Sequence, residues 1–241
     1  MLIGRKIIHL EETDSTNNYL KNNFENGLLV FANAQTSGRG QRENKWISET
    51  GKNILMSFGL VPENLNVDMQ FFLSKAVSLA VFDFLSKYIE SIKIKWPNDI
   101  YVKDKKIAGI LIENSLKGSR ISNIVAGIGI NINQDKFPAT IPNPISLKQI
   151  TGLFYELENL QKELIKHLNI RLQQLVSAQY TKLTEDYLRH LYRYKTESLF
   201  LINGEKTKAR IIDIAKNGSL ILAFNDKEIK NFAFKELEFV I

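Results

Sequence analysis

From residue 6 to residue 133 short apolar runs alternate with polar punctuation. KIIHL reads as a short strand. In DSTNNYLKNNF, Asp14 or Ser15 can cap a helix whose apolar side is Tyr19, Leu20 and Phe24. LLVFANAQ and NILMSFGL read as buried strands, the second bounded by Gly51 and Pro62. The stretch MQFFLSKAVSLAVFDFLSKYI, Met69 to Ile89, is apolar at helical spacing and predicts a core helix. IKIKW alternates as a strand does. YV, the turn KDKK and IAGILIEN predict a hairpin, and NIVAGIGININ predicts a further strand rich in glycine.

After Asn133 the pattern changes. DKFPATIPNPISLKQITG holds three of the five prolines and reads as an irregular connection. A long helical stretch from about Glu156 to Arg193 follows. From about Phe200, the runs LFLIN, KARIIDIA, SLILAF and EIKNFAFKEL are separated by Asn-Gly, Asn-Gly and Asn-Asp turn signals. The expectation is an α+β fold: a mixed sheet flanked by helices over residues 1–195, and a small β-barrel over 196–241.

Composition adds mainly exclusions. The 241 residues contain no cysteine, so disulfides, thiolate metal sites and cysteine nucleophiles are ruled out. No apolar run has membrane-spanning length and MLIGRKIIHLEETD lacks the core of a signal peptide, which predicts a cytoplasmic protein. The net charge of +6 is spread along the chain without a dense basic block, so it suits phosphate-bearing small molecules as well as nucleic acid.

Four segments carry candidate chemistry. QTSGRGQRENKW places Gly38, Arg39, Gly40, Arg42 and Lys45 before Trp46, in a loop with little to bury. It is not a dinucleotide fingerprint, because a strand and not a helix follows it. The glycines allow the backbone to move and arginine offers forked donors for carboxylate or phosphate. KWPND is followed seven residues later by Lys106, which opens an apolar strand and is either a solvated hairpin end or an ammonium directed into a shielded site. AGIGIN carries two glycines inside a strand, expected for a ligand lying against the sheet or for a tightly packed helix. Asp14-Ser-Thr-Asn17 suits a helix cap, or a neutral polar ligand such as a urea. His9, His167 and His190 are scattered without partners and read as structural.

In this order and spacing, DSTN, QTSGRGQR with Trp46, KWPND with KKIAGILIE, and AGIGIN closely resemble the biotin–protein ligase family, from about Thr13 to Asn133. The resemblance implies a class II synthetase-like catalytic fold with an SH3-like C-terminal barrel. It also implies a two-step reaction. Biotin is activated with ATP and Mg²⁺ to biotinyl-5′-AMP, then transferred to the ε-amine of a lysine on the biotin carboxyl carrier protein of a carboxylase. It places Ser15, Thr16, Asn17 and Gln35 at the biotin head group. The loop Gly38, Arg39, Gly40 and Gln41 closes over the ligand, and Lys106 and Gly109 lie beside biotin. Arg39, Trp46, Asn98, Lys106 and Asn131 are placed near the nucleotide, with Lys106 and Arg39 as the catalytic pair.

The sequence also departs from the family pattern. Gln41 stands where relatives often have a second arginine, and Glu43 where they have glycine, which predicts looser retention of the adenylate. The arginine many relatives place at the extreme C-terminus is missing from FKELEFVI. DSTN begins at residue 14, leaving no room for a helix-turn-helix, so a ligase-only form without DNA binding is expected. A lipoate–protein ligase is the nearest enzymatic alternative. A nucleic-acid-binding module is a third reading, although Phe224, Phe232 and Phe234 alternate as core residues do. Such folds accommodate a strand-edge homodimer, and the sequence leaves monomer or dimer open.

Overall fold

The computed structural model describes residues 2–41, 44–62, 65–118 and 120–241. Arg42 and Glu43 lie outside the described residues. Two sheets and five α-helices make up the described fold.

The first sheet is seven-stranded and mixed. Its strands are β1 (Lys6–Thr13), β2 (Leu28–Gln35), β3 (Ile54–Leu60), β4 (Ile92–Lys95), β5 (Asp99–Val102), β6 (Lys105–Lys117) and β7 (Arg120–Ile130). Their order is β1-β2-β3-β7-β6-β5-β4, and only β1 and β2 pair in parallel. The period-2 pleat divides the side chains between two faces. Leu29, Phe31, Ile54, Met56, Phe58, Ala126 and Ile128 join the main apolar core, whereas Leu28, Val30 and Val125 pack with Leu20 on the other side.

Helix α1 (Thr16–Asn22) supplies Leu20 to the smaller cluster, and helix α2 (Gln70–Leu85) fills the main one. Thirteen of the sixteen α2 residues are buried, so the helix is covered on every side. The sheet lies on one side of it; α4 (Leu157–Val176) and α5 (Tyr180–His190) lie on the other. The long helical stretch predicted from 156 to 193 is therefore two helices. Ala178 adopts φ 54° between them, a left-handed conformation that ends α4. Residues 191–193 are not helical either: Leu191 forms a bridge with Ile94, and the Tyr192 amide donates to the Ile94 carbonyl at 2.8 Å. Within the proline-rich connection a short helix, α3 (Leu147–Thr151), starts at a capping box of Ser146 and Gln149.

The second sheet is antiparallel, with strands β8 (Glu197–Ile202), β9 (Glu205–Ile214), β10 (Leu220–Ala223), β11 (Ile229–Phe232) and β12 (Leu237–Phe239) in the order β11-β10-β9-β8-β12. The run EIKNFAFKEL, predicted as one strand, is two strands around a turn in which the Glu236 amide donates to the Ala233 carbonyl. Among the described residues the pairings leave β11 and β12 as open edges. The second sheet is tied to the first through Trp96, whose Nε1 donates to the Gly218 carbonyl at 2.8 Å and whose ring meets Phe234 edge-on at 6.0 Å.

Candidate active site

A cavity of about 830 Å³ opens on the α1 face of the first sheet and is walled by residues of the second. At one end its groups are neutral and polar. Ser15 stands at the N-cap position of α1 with extended backbone, yet its side chain makes no capping bond. The Thr16 amide donates instead to Gln35 Oε1 at 2.8 Å. Ser57 Oγ donates to Asn17 Oδ1 at 2.6 Å and lies 2.7 Å from Thr16 Oγ1. Ser15, Thr16, Asn17 and Ser57 are all buried. Buried hydroxyls and amides cross-bonded in this way hold fixed directions, as recognition of a neutral polar ligand requires.

The floor is made by glycines. On β6 and β7 the residues facing the cavity include Gly109, Gly127 and Gly129. A Cβ on Gly127 would lie 2.2 Å from Asn17 Oδ1, and one on Gly129 would lie 2.4 Å from the Trp46 ring. The two glycines therefore serve different neighbours, a helix at 127 and the loop tryptophan at 129. Gly109 makes room for the Lys106 head group, whose Nζ would be 3.1 Å from an added Cβ.

Residues 36–41 and 44–53 fold back against one another. The Trp46 amide donates to the Gly38 carbonyl at 2.9 Å and the Gly40 amide to the Asn44 carbonyl at 2.7 Å. At Gly38 an added Cβ would meet the Trp46 carbonyl oxygen at 2.4 Å. That glycine is required by close approach in the closed loop, where the sequence suggested mobility. Trp46 Nε1 and Gln41 Oε1 are buried without a hydrogen-bond partner among the described residues. A free donor and a free acceptor in a cavity wall are groups that a bound ligand can satisfy.

Two of the cations that line the cavity, Lys106 and Arg39, are paired with carboxylates. Lys106 Nζ lies 2.7 Å from Asp99 Oδ1 and 5.7 Å from the Trp46 ring centre. Arg39 reaches Glu113 at 3.0 Å, and the same carboxylate accepts from Lys21 Nζ at 2.6 Å and Asn17 Nδ2 at 2.8 Å. Burial raises the Glu113 pKa, but the bonds from Lys21 and Asn17 and the Arg39 charge outweigh it and leave it below the usual value. Lys106 sits where β6 leaves β5 through a bulge and takes up the proline-rich connection. Its amide donates to the Asn143 carbonyl at 2.7 Å, and the Ile145 amide donates to its carbonyl at 2.9 Å.

Of the sequence-predicted site residues, Ser15, Thr16, Asn17, Gln35, Arg39, Gly40, Gln41, Trp46, Asn98, Lys106, Gly109 and Asn131 all line this cavity, and Gly38 lies under Trp46 outside the lining. Two of them have their amides engaged by backbone: Asn98 Nδ2 donates to the Ile110 carbonyl, and Asn131 Nδ2 to the Ile145 carbonyl at 3.1 Å. None of the histidines lines the cavity; His9 stacks on Phe31 and His190 on Phe82. Sequence reasoning missed Ser57, Glu113 and Phe239, and it gave no role to Lys95 although Lys95 opens the KWPND segment. Glu113 was recoverable, because it follows Gly109 at i+4 on a strand and so shares its face. Phe239 was not, since only tertiary packing brings β12 to this wall.

Residues 9–131 match the model of the biotin/lipoate A/B protein ligase family. The chain is 36% identical over 159 residues to the bifunctional ligase/repressor BirA of Bacillus spizizenii, covering 63% of this chain and 49% of that protein. It is 29% identical over 166 residues to the biotin–[acetyl-CoA-carboxylase] ligase of Mycobacterium tuberculosis, covering 67% and 59%. The chain thus spans about half the length of the curated relatives it matches first. Among solved structures, the biotin protein ligase from Aquifex aeolicus in complex with biotin and ATP superposes with a TM-score of 0.81 at 27% identity, over 98% of this chain and 99% of that one.

Proposed function

Because the chain belongs to the biotin/lipoate A/B protein ligase family, we propose that it activates biotin with ATP to biotinyl-5′-AMP and transfers the biotinyl group to a lysine of a biotin carboxyl carrier protein, such as that of acetyl-CoA carboxylase. The observation that carries this reading is the convergence of four separate sequence motifs on one cavity, with neutral donors at one end and cations at the other.

In this reading the Thr16, Asn17 and Gln35 end holds the ring system, and the carboxylate points toward Lys106. A carboxylate approaching a polyphosphate brings two anions together. One ammonium about 4 Å from an anion contributes on the order of 4 kcal/mol at an effective dielectric near 20. Lys106 and Arg39 supply that charge, and each already has a carboxylate partner that the ligand anion would replace. Exchanging one anionic partner for another avoids stranding a desolvated cation. Mg²⁺ is assigned to the ATP phosphates, whose oxygens are the hard donors it prefers. The closed loop, with Trp46 over Gly129, shields the mixed anhydride from water until the acceptor amine arrives. The division at residues 195/196, the description of the second sheet as an SH3-like barrel and a cytoplasmic site of action belong to the same proposal.

Pyrophosphate release from ATP and Mg²⁺, with biotin, lipoate or neither, tests it. The expected result is release with biotin only, reduced at least 100-fold in Lys106→Ala. Release with lipoate alone would overturn the substrate. Silence with both, from a folded protein, would overturn the activity.

A further inference from the structure

The cations facing the cavity differ in their company. Lys106 is paired with Asp99 and Arg39 with Glu113, while Lys45 and Lys235 stand exposed at the rim. Lys95, the last residue of β4, is different. It is half-buried, with Nζ 4.7 Å from the Tyr101 ring centre, 5.1 Å from that of Phe239 and 3.4 Å from the Tyr101 hydroxyl. Among the described residues no carboxylate lies within ion-pair distance of it. Burial holds its pKa below the usual lysine value; Asp99 and Glu238 oppose that effect, and Lys106 and Arg193 add to it. Withdrawing an ammonium from water without a counter-ion is costly, and an incoming anion removes the cost.

The sheet order says which anion. Across the cavity the neutral pocket lies over β3 and β7, Lys106 on β6, Asp99 on β5 and Lys95 on β4. Lys95 is thus two strands beyond Lys106, roughly 10 Å at the usual spacing. Where the biotin carboxylate meets the α-phosphorus of ATP near Lys106, Lys95 on β4 is the cation farther along the sheet that has no carboxylate partner among the described residues. We propose that Lys95 binds the β- and γ-phosphates of ATP and the pyrophosphate they become, held in place by the rings of Tyr101 and Phe239. The assignment rests on the biotin-activating reading and deepens it. In that step a carboxylate oxygen bonds to the α-phosphorus while the bond from that phosphorus to the bridging oxygen breaks. The electron pair leaves with pyrophosphate, and Lys95 meets the charge that grows there. The assignment also gives the second sheet a part in the chemistry, since Phe239 belongs to β12.

Calorimetric titration of inorganic pyrophosphate into wild type, Lys95→Met and Lys95→Arg tests the assignment without biotin. Expected are at least a tenfold weaker affinity in Lys95→Met, recovery of most of it in Lys95→Arg, and biotin affinity within twofold throughout. Equal pyrophosphate affinity in wild type and Lys95→Met overturns the assignment. If Lys95→Met fails to fold, amine labelling of wild type decides: pyrophosphate should protect Lys95 several-fold, and equal labelling with and without it overturns the assignment. Wild type that binds pyrophosphate through Lys95 yet releases none with biotin would keep this site and overturn the biotin reading instead.

Discussion

The two faces of the seven-stranded sheet are built by opposite means. On the α2 face the strands present Phe31, Ile54, Met56, Phe58 and Ile128 to a helix whose own residues are almost all buried, so each side chain has many apolar neighbours. On the α1 face the same strands present Gly109, Gly127, Gly129 and Ser57, and the structure depends on a few polar bonds and on space left open. Dispersion and apolar burial are non-directional and distributed, so the first face should tolerate loss of any ligand contact. The second face has no such redundancy. A single misplaced atom there should alter binding before it alters stability.

The largest expected effect tests the core face. Phe84 is fully buried in α2, so Phe84→Ala should cost about 3–5 kcal/mol. The melting temperature should fall by about 10 °C, while biotin affinity measured well below the transition stays within twofold. A parallel loss of biotin affinity would mean that the two faces are not independent.

Lys75 sharpens the contrast, being a charge set within the apolar face. It is 2% exposed, donates to Thr184 Oγ1 at 2.9 Å and lies 4.7 Å from the Phe72 ring centre. Burial lowers its pKa to about 8, with Asp213 acting against the shift. Between that value and the ordinary 10.5 the unfolded chain keeps a proton the folded chain has released, so stability from this group rises with pH across that window. Below it the full cost of the buried charge is present. Lys75→Met should therefore stabilise the protein by about 2 kcal/mol at pH 7, or about 4–8 °C, with the gain shrinking by pH 10. Thermal scans at the two pH values check this; a gain that does not change with pH would remove the electrostatic explanation.

The smallest effect belongs to the cavity face. In Gly129→Ala the new methyl must displace the Trp46 ring. Ligand affinity should fall about tenfold, which corresponds to roughly 1.4 kcal/mol, while the melting temperature moves by no more than a few degrees. A substantial loss of thermal stability would show that the Trp46 contact supports the fold as well as the site.

Which parts were legible follows from the range of the forces involved. Strand and helix assignments rest on periods of two and 3.6, which are local, so β2, β3 and β7 stand where the pattern puts them, as does the core helix except that it ends at Leu85 and not at Ile89. The break at Ala178 was not legible, because alanine carries no signal for a left-handed backbone. Nor was the split of EIKNFAFKEL, since its turn is closed by Glu236 and not by glycine or proline. At the site, Lys106, Arg39, Trp46 and the DSTN segment could be singled out because their residue types and order are unusual in themselves.

Composition and order along the chain were thus enough for an α+β fold with a separate run of short strands after residue 196, for the buried helix and for the motifs that meet at one cavity. Only the tertiary structure decided what those motifs do to one another: that Gly38 serves closeness and not movement, that Glu113 holds Arg39, and that Lys95 stands beside Phe239 with no carboxylate partner among the described residues. The last two contacts join residues 74 and 144 positions apart. Such pairings are set by how sheets twist and pack, and local periodicity contains no record of them.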